Sequence, residues 1–200
     1  MLSYQKESEV ITSLIEQDNE LKKLFDAVPS VEIKLQNDYF LSLLGAIVSQ
    51  QLSGKVADVI YRRVLSFFKD EVTPEKIIQA DTEALRELGL SYRKVDYIKS
   101  LASKVNSKEV HLDDISLLSN QEIIDMLTKI KGIGPWTAEM FLIFSLGRKN
   151  VFSVLDLGLR SGLQKLYDQS LSFEEMMNIS KKWEPHQTYV SLALWRYNAI

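Results

Sequence analysis

Residues 128–164, TKIKGIGPWTAEMFLIFSLGRKNVFSVLDLGLRSGLQ, place a Gly-x-Gly turn, two long apolar runs and a lone carboxylate, Asp156, in one short span. Just upstream, Ser119 and Glu122 form the S-x-x-E pattern of a capping box ahead of Ile123, Ile124 and Leu127. That pattern predicts a helix running into Lys129. Gly132 and Gly134 bracket Ile133, so the backbone can take positive φ and lie close to another surface, while Pro135 suits the first position of a following helix. The reading is helix, hairpin, helix. The second helix opens with unused N–H groups and the positive end of its dipole, flanked by Lys129 and Lys131, an arrangement suited to a phosphate. A plain tight connection between helices gives the same pattern.

The chain has 200 residues, 46% of them hydrophobic, enough to bury a core as one compact unit or two small lobes. No apolar run approaches the length that spans a bilayer, and the start, MLSYQKESEV, lacks the basic and apolar regions of a signal peptide. A cytosolic location is the expectation. The absence of cysteine excludes disulfides, zinc–thiolate sites and iron–sulfur clusters. His111 and His186 stand apart, with no spacing that suggests a divalent catalytic metal.

The net charge of −3 argues against a protein that coats nucleic acid by bulk electrostatics, but the distribution is uneven. Residues 1–38 carry four Lys and eight acidic side chains, 4 − 8 = −4; residues 128–165 carry six Lys/Arg against Glu139 and Asp156, 6 − 2 = +4. A basic patch on an acidic body suits a small DNA footprint, and a solvated helix face gives similar counts.

Every well-signalled element is helical. Residues 4–27 read as one or two amphipathic helices with Val10, Ile11, Leu14, Ile15, Leu21, Leu24 and Phe25 inward, ending before Pro29. Val31–Leu35 alternates as a short extended piece would, with no pairing partner evident. Asp38 caps an apolar helix through Phe40, Leu43, Leu44, Ile47 and Val48, which runs into Ser49-Gln50-Gln51-Leu52-Ser53. Ser53 restarts a helix with Val56, Ile60, Val64 and Phe67 inward. Thr73-Pro74 and Asp81 cap two short helices, Gly89 stops the second, and Leu90–Lys94 begins a helix through Tyr97, Ile98, Leu101 and Val105. Asp156 precedes another helix through Leu159, Leu163 and Leu166, and Ser172 with Glu175 forms a second capping box. No repeat, low-complexity run or Pro/Gly-rich linker appears.

The segment I-K-G-I-G-P-W-T-A followed by V-F-S-V-L-D-L-G-L-R-S-G resembles the helix-hairpin-helix DNA glycosylase superfamily, and Asp156 falls where that family carries its catalytic aspartate. I-V-S-Q-Q-L-S-x-K-x-A at Ile47–Ala57, the G-L-S-x-R-K turn at Gly89–Lys94, and the closing W-x-P…L-W helix at Trp183–Trp195 point to the 3-methyladenine DNA glycosylase II branch. The likeness covers roughly residues 38–200. It implies an all-α fold of two helical lobes around a DNA-binding cleft, with lobes of about 40–148 and 1–39 plus 149–200 in a single glycosylase unit. The extra β-rich N-terminal domain of some members has no room in this chain. Gln187 stands where the family has an arginine, a departure from its pattern.

The resemblance implies base excision repair: a hydrolase that removes alkylated purines of the 3-methyladenine and 7-methylguanine type from duplex DNA, as a monomer, in the cytoplasm, nucleoid or nucleus, with no organic cofactor or catalytic metal. Asp156 would stabilise the oxocarbenium character that builds as the base leaves and orient the attacking water. Unaided by the resemblance, Asp156 reads as a helix N-cap, and the two roles are compatible. Trp136 and Trp195 correspond to aromatic base-pocket positions, whose electron-rich faces attract a cationic N-methylated purine; they also read as core. Phe141 and Phe144 read as core. Gln51 aligns with the side chain that plugs the gap left by a flipped base, with Leu52 the neighbouring candidate. Lys131, Gly132, Ile133, Gly134, Thr137, Arg93 and Lys94 would contact the DNA backbone, and carbonyls of Thr128, Ile130 and Ile133 would hold a monovalent cation. Trp136 replaces the lysine with which strand-cutting relatives form a Schiff base, so a glycosylase without lyase activity is implied. The rivals are a non-enzymatic helix-hairpin-helix DNA-binding module and a glycosylase for hypoxanthine, uracil or an oxidised purine.

Overall fold

A computed structural model describes residues 2–5 and 8–200, and within them the chain is almost wholly helical: twelve α-helices, one 3-10 turn at Ile115–Leu117 and one two-stranded pairing. It divides into two compact units, Met1–Leu35 with Leu142–Ile200, and Gln36–Phe141. Among the described residues, no helix is long and apolar enough to cross a membrane.

The first unit opens with β1 (Leu2–Tyr4), α1 (Glu9–Gln17), α2 (Glu20–Ala27) and β2 (Val31–Ile33). Ile11 and Leu14 of α1 and Leu21, Leu24 and Phe25 of α2 are buried, at the expected spacing. The alternating segment does have a partner, since β2 pairs antiparallel with β1, Leu2 opposite Ile33. Three residues are too few to show a period of two, so Tyr4 reads as the start of a helix from sequence alone.

The second unit starts with α3 (Tyr39–Ser49), whose N-terminus is capped by Asp38 Oδ1 accepting the Leu41 N–H at 2.9 Å. Phe40, Leu43, Leu44, Ile47 and Val48 are all buried. In α4 (Gly54–Phe67) the inward face differs from expectation. Val56 and Phe67 are 46% and 43% exposed, and the buried stripe is Ala57, Ile60, Val64 and Phe68. Ala57 lies one turn before Tyr61, whose hydroxyl donates to the Leu41 carbonyl at 3.2 Å and whose ring lies over Gly45. That contact with α3 sets the rotation of α4, and apolar periodicity alone does not encode it.

Capping then punctuates the unit as the sequence indicates. Thr73 caps α5 (Pro74–Gln79), Asp81 caps α6 (Thr82–Glu87), and Ser91 caps α7 (Tyr92–Asn106). Ser119 and Glu122 complete the capping box of α8 (Asn120–Leu127). Helix α9 (Pro135–Phe144) follows the hairpin and begins in this unit. Helix α7 packs against α3, α5 and α6, so it is the spine of the unit.

The chain returns to the first unit for α10 (Leu157–Tyr167), α11 (Phe173–Lys181) and α12 (Gln187–Asn198). Helix α12 packs on α10 and α2, with Leu159, Leu163, Val190, Ala193 and Leu194 fully or nearly fully buried. Beneath them, buried Asp18 accepts the Trp183 indole N–H at 2.9 Å and also the Tyr167 hydroxyl. Burial, and then the bond to Asp18, push the Tyr167 phenol well above its ordinary range. Gln187 is buried, and its amide donates to the Ser180 carbonyl at 3.1 Å. It ties the start of α12 to the end of α11.

Candidate functional site

In the first unit Asp156 is the N-cap of α10, its Oδ1 accepting the Leu159 N–H at 2.8 Å. The same oxygen accepts the Trp195 indole N–H at 2.9 Å, and the residue is only 9% exposed. A helix N-terminus is a natural seat for negative charge. Two N–H donors on one oxygen also fix the plane of the carboxylate. The cap predicted from sequence is thus present, on the residue to which the resemblance assigns the chemical role.

Helix α12 builds the loop that leads into Asp156. The Thr188 hydroxyl donates to the Arg148 carbonyl at 2.7 Å and accepts the Val151 N–H at 3.1 Å, and the Ser191 hydroxyl donates to the Val151 carbonyl at 3.0 Å. Thr188, Ser191 and Trp195 stand at i, i+3 and i+7 on one face, so a single helix stripe holds both the loop and the carboxylate. Gly158 makes room for this. A Cβ there would lie 3.0 Å from Trp195 Cδ1 and 3.1 Å from Asp156 Oδ1. Trp195 is half-buried and stacks on Phe144, with centroids 5.5 Å apart and planes at 29°. Phe141 is core, as expected, whereas Phe144 is not: it is half-buried as the aromatic partner of Trp195.

The second unit carries a concavity of about 1020 Å³ that gathers most of the remaining candidates: Gln51, Leu52, Arg93, Lys94, Gly132, Trp136 and Thr137. Arg86, Arg93 and Lys94 line it and, among the described residues, no carboxylate does, which suits a polyanion. Gln51 is exposed and holds φ +58°, a left-handed conformation uncommon for a side-chain-bearing residue, at the break between α3 and α4. Leu52 beside it is half-buried. Trp136, in the first turn of α9, is 44% exposed and therefore not core. Arg93 is exposed, while the Lys94 ammonium donates to the Val48 carbonyl at 2.6 Å. Burial lowers the Lys94 pKa. Lys94 therefore holds the end of α3, a role its sequence position does not reveal.

The hairpin is tighter than expected on one side and more open on the other. Gly132 takes φ +85°, and a Cβ there would fall 2.1 Å from the Tyr97 ring, so the α8–α9 turn lies directly on α7. Gly134 has no positive φ, and a Cβ there would meet nothing within 4 Å. Neither backbone conformation nor internal packing requires a glycine there, and the space at its Cβ position is open. The Lys131 N–H donates to the Ser100 hydroxyl at 3.2 Å, and its ammonium pairs with Asp96 at 3.3 Å in an exposed, easily screened bridge. The Ile133 and Thr137 side chains are buried, so each would meet a phosphate through its backbone. Three features escape sequence reasoning. Arg86 lies 4.1 Å from the Tyr92 ring centroid, Tyr92 is 60% exposed, and Gln50 reaches across to the hairpin. Only Gln50, within the quoted S-Q-Q-L-S turn, carried any signal.

Comparison with known proteins supplies the context. The profile of the HhH-GPD superfamily base excision DNA repair proteins matches residues 44–185. A crystal structure of a DNA-3-methyladenine glycosidase from Bacillus halodurans superposes with a TM-score of 0.92 at 35% identity, covering 99% of this chain and 93% of that one. A 3-methyladenine DNA glycosylase from Schizosaccharomyces pombe, solved in complex with abasic DNA, gives a TM-score of 0.84 at 32% identity, covering 96% and 98%. A putative DNA-3-methyladenine glycosylase from Bacillus subtilis is 31% identical over 88% of this chain, which spans 64% of that relative's length. The chain belongs to the HhH-GPD superfamily of base excision DNA repair proteins.

Proposed function

We infer that this protein is a monofunctional DNA glycosylase of the 3-methyladenine type, hydrolysing the N-glycosidic bond of alkylated purines in duplex DNA as a monomer, wherever the cell keeps its DNA. The observation that carries the reading is Asp156, a nearly buried carboxylate whose Oδ1 is held by the Leu159 and Trp195 N–H groups. As the bond to the base stretches, positive charge spreads over C1′ and the ring oxygen of deoxyribose. A fixed carboxylate stabilises that charge without reorganising, the kind of preorganisation worth several kcal/mol, about 3 kcal/mol for a single donor in other enzymes. Asp156 also orients the water that completes the hydrolysis. A non-enzymatic DNA-binding module would need Asp156 only as the cap of α10, a role that asparagine fills as well.

The target base must leave the stack first, at a cost of a few kcal/mol that is smallest for a damaged pair. Gln51, presented at the α3–α4 break, fills the vacated space, with Leu52 packed beside it. The hairpin backbone at Gly132–Gly134 and the N–H groups that open α9 grip phosphate, aided by Arg93 and Lys131. Trp136, and Trp195 backed by Phe144, offer aromatic faces to a cationic base. Trp136 stands where strand-cutting relatives have a lysine, so the product is an intact abasic site. The carbonyls of Thr128, Ile130 and Ile133 are the groups that would hold a monovalent cation; the Ile130 carbonyl accepts the Ile133 N–H at 3.1 Å and keeps a second lone pair. Such an ion would add positive charge beside the phosphate. Otherwise the reaction calls on water alone.

The test is a panel of duplexes, each with one modified base, assayed for abasic sites. 3-Methyladenine and 7-methylguanine should be released faster than hypoxanthine, uracil or an oxidised purine. Preference for one of the latter would move the substrate class, and release of none would overturn the enzymatic reading.

A further inference from the structure

Within the second unit, the turn that presents Gln51 and the hairpin lie far apart in sequence yet are bolted together. Gln50 Nε2 donates to the Gly132 carbonyl at 2.7 Å. This bond joins the residue before the left-handed Gln51 to the one glycine of the hairpin that needs positive φ. Both partners also rest on α7. Lys94 Nζ holds the Val48 carbonyl at the end of α3 at 2.6 Å, and Tyr97, less than one turn along, lies under Gly132 so closely that no Cβ fits between them. Gly132 is therefore packed at its Cα against Tyr97 and held at its carbonyl by Gln50, and the turn is held by Lys94 and Gln50.

We propose that Gln50 is a positioning residue that couples the hairpin's hold on the phosphate backbone to the placement of the Gln51 turn in the duplex. An amide side chain suits the task. It donates to the carbonyl while spanning the gap without a charge that would compete for phosphate. Loss of the bond leaves the hairpin standing, because Tyr97 and Ser100 still support it. The turn loses its lateral anchor, and Gln51 can relax from φ +58°. General binding to DNA should therefore survive while recognition of a gap in the stack weakens. The inference rests on the reading of Gln51 as the residue that fills that gap.

Gln50→Met keeps length and removes the donor; Gln50→Ala guards against an effect specific to methionine. Fluorescence anisotropy would compare affinity for a duplex containing a tetrahydrofuran abasic-site analogue with affinity for the undamaged duplex. Both variants should lose about five- to tenfold of the preference for the abasic duplex, the order expected for one hydrogen bond, with undamaged-duplex affinity within twofold of wild type. That retained affinity also reports a folded hairpin. An unchanged preference, or a parallel loss on both duplexes, overturns the coupling. Because binding is the readout, the result is independent of activity: a wild-type protein that shows the Gln50-dependent preference but releases no base would fault the enzymatic reading alone.

Discussion

Trp195 performs two tasks that sequence treats as one. Its ring stacks on Phe144 while its N–H holds Asp156 Oδ1 at 2.9 Å. Trp195→Phe preserves an aromatic face and removes only the N–H, so it separates the tasks. We expect a fall of about tenfold in the single-turnover rate, the size of one lost hydrogen bond to a charged group, with KM nearly unchanged. A lowered affinity at unchanged rate would show that Trp195 serves the base alone. That Asp156 caps α10 was legible in the sequence, and its chemical assignment comes from its register with the hairpin motif. Its bond to Trp195 was not, because nothing in the sequence pairs residues 39 positions apart.

At the scale of elements, the hairpin's two glycines make a matched pair. Gly132→Ala forces a Cβ into the Tyr97 ring at a positive φ, and should lower the melting temperature and DNA affinity together. Gly134→Ala meets open space, so it should leave the melting temperature within about 2 °C, corresponding to no more than about 0.5 kcal/mol, yet weaken duplex binding. Equal melting-point losses in the two variants would contradict this division. Sequence marks both glycines alike, because a Gly-x-Gly pattern states that room is needed without saying for what. The helices themselves were readable wherever a cap announced them, as at Asp38, Thr73, Asp81, Ser119 and Ser172. The rotation of α4 was not, because a tertiary contact at Tyr61 overrides the apolar ranking of Val56 and Ala57.

At the scale of the whole molecule, the chain forms two units in sequence-discontinuous fashion. Residues 36–141 supply the cationic concavity, the Gln51 turn and the hairpin, while the returning chain supplies the carboxylate and the helix that orients it. The acidic N-terminal segment packs in the carboxylate-bearing unit, where Asp18 is used internally by Trp183 and Tyr167. A net charge of −3 is therefore compatible with a DNA-binding face, because charge is sorted locally. The most direct measurement is single-turnover excision of 7-methylguanine from a duplex by wild type and Asp156→Asn, with sodium borohydride present in a parallel reaction. Asn keeps the shape and can still cap α10, so folding and duplex affinity should match wild type while the rate falls at least about a hundredfold, the scale of a lost electrostatic stabiliser. Wild type should leave an uncut abasic strand and no borohydride-trapped complex; an Asp156→Asn rate within a few-fold of wild type, or a trapped covalent species, would contradict the account.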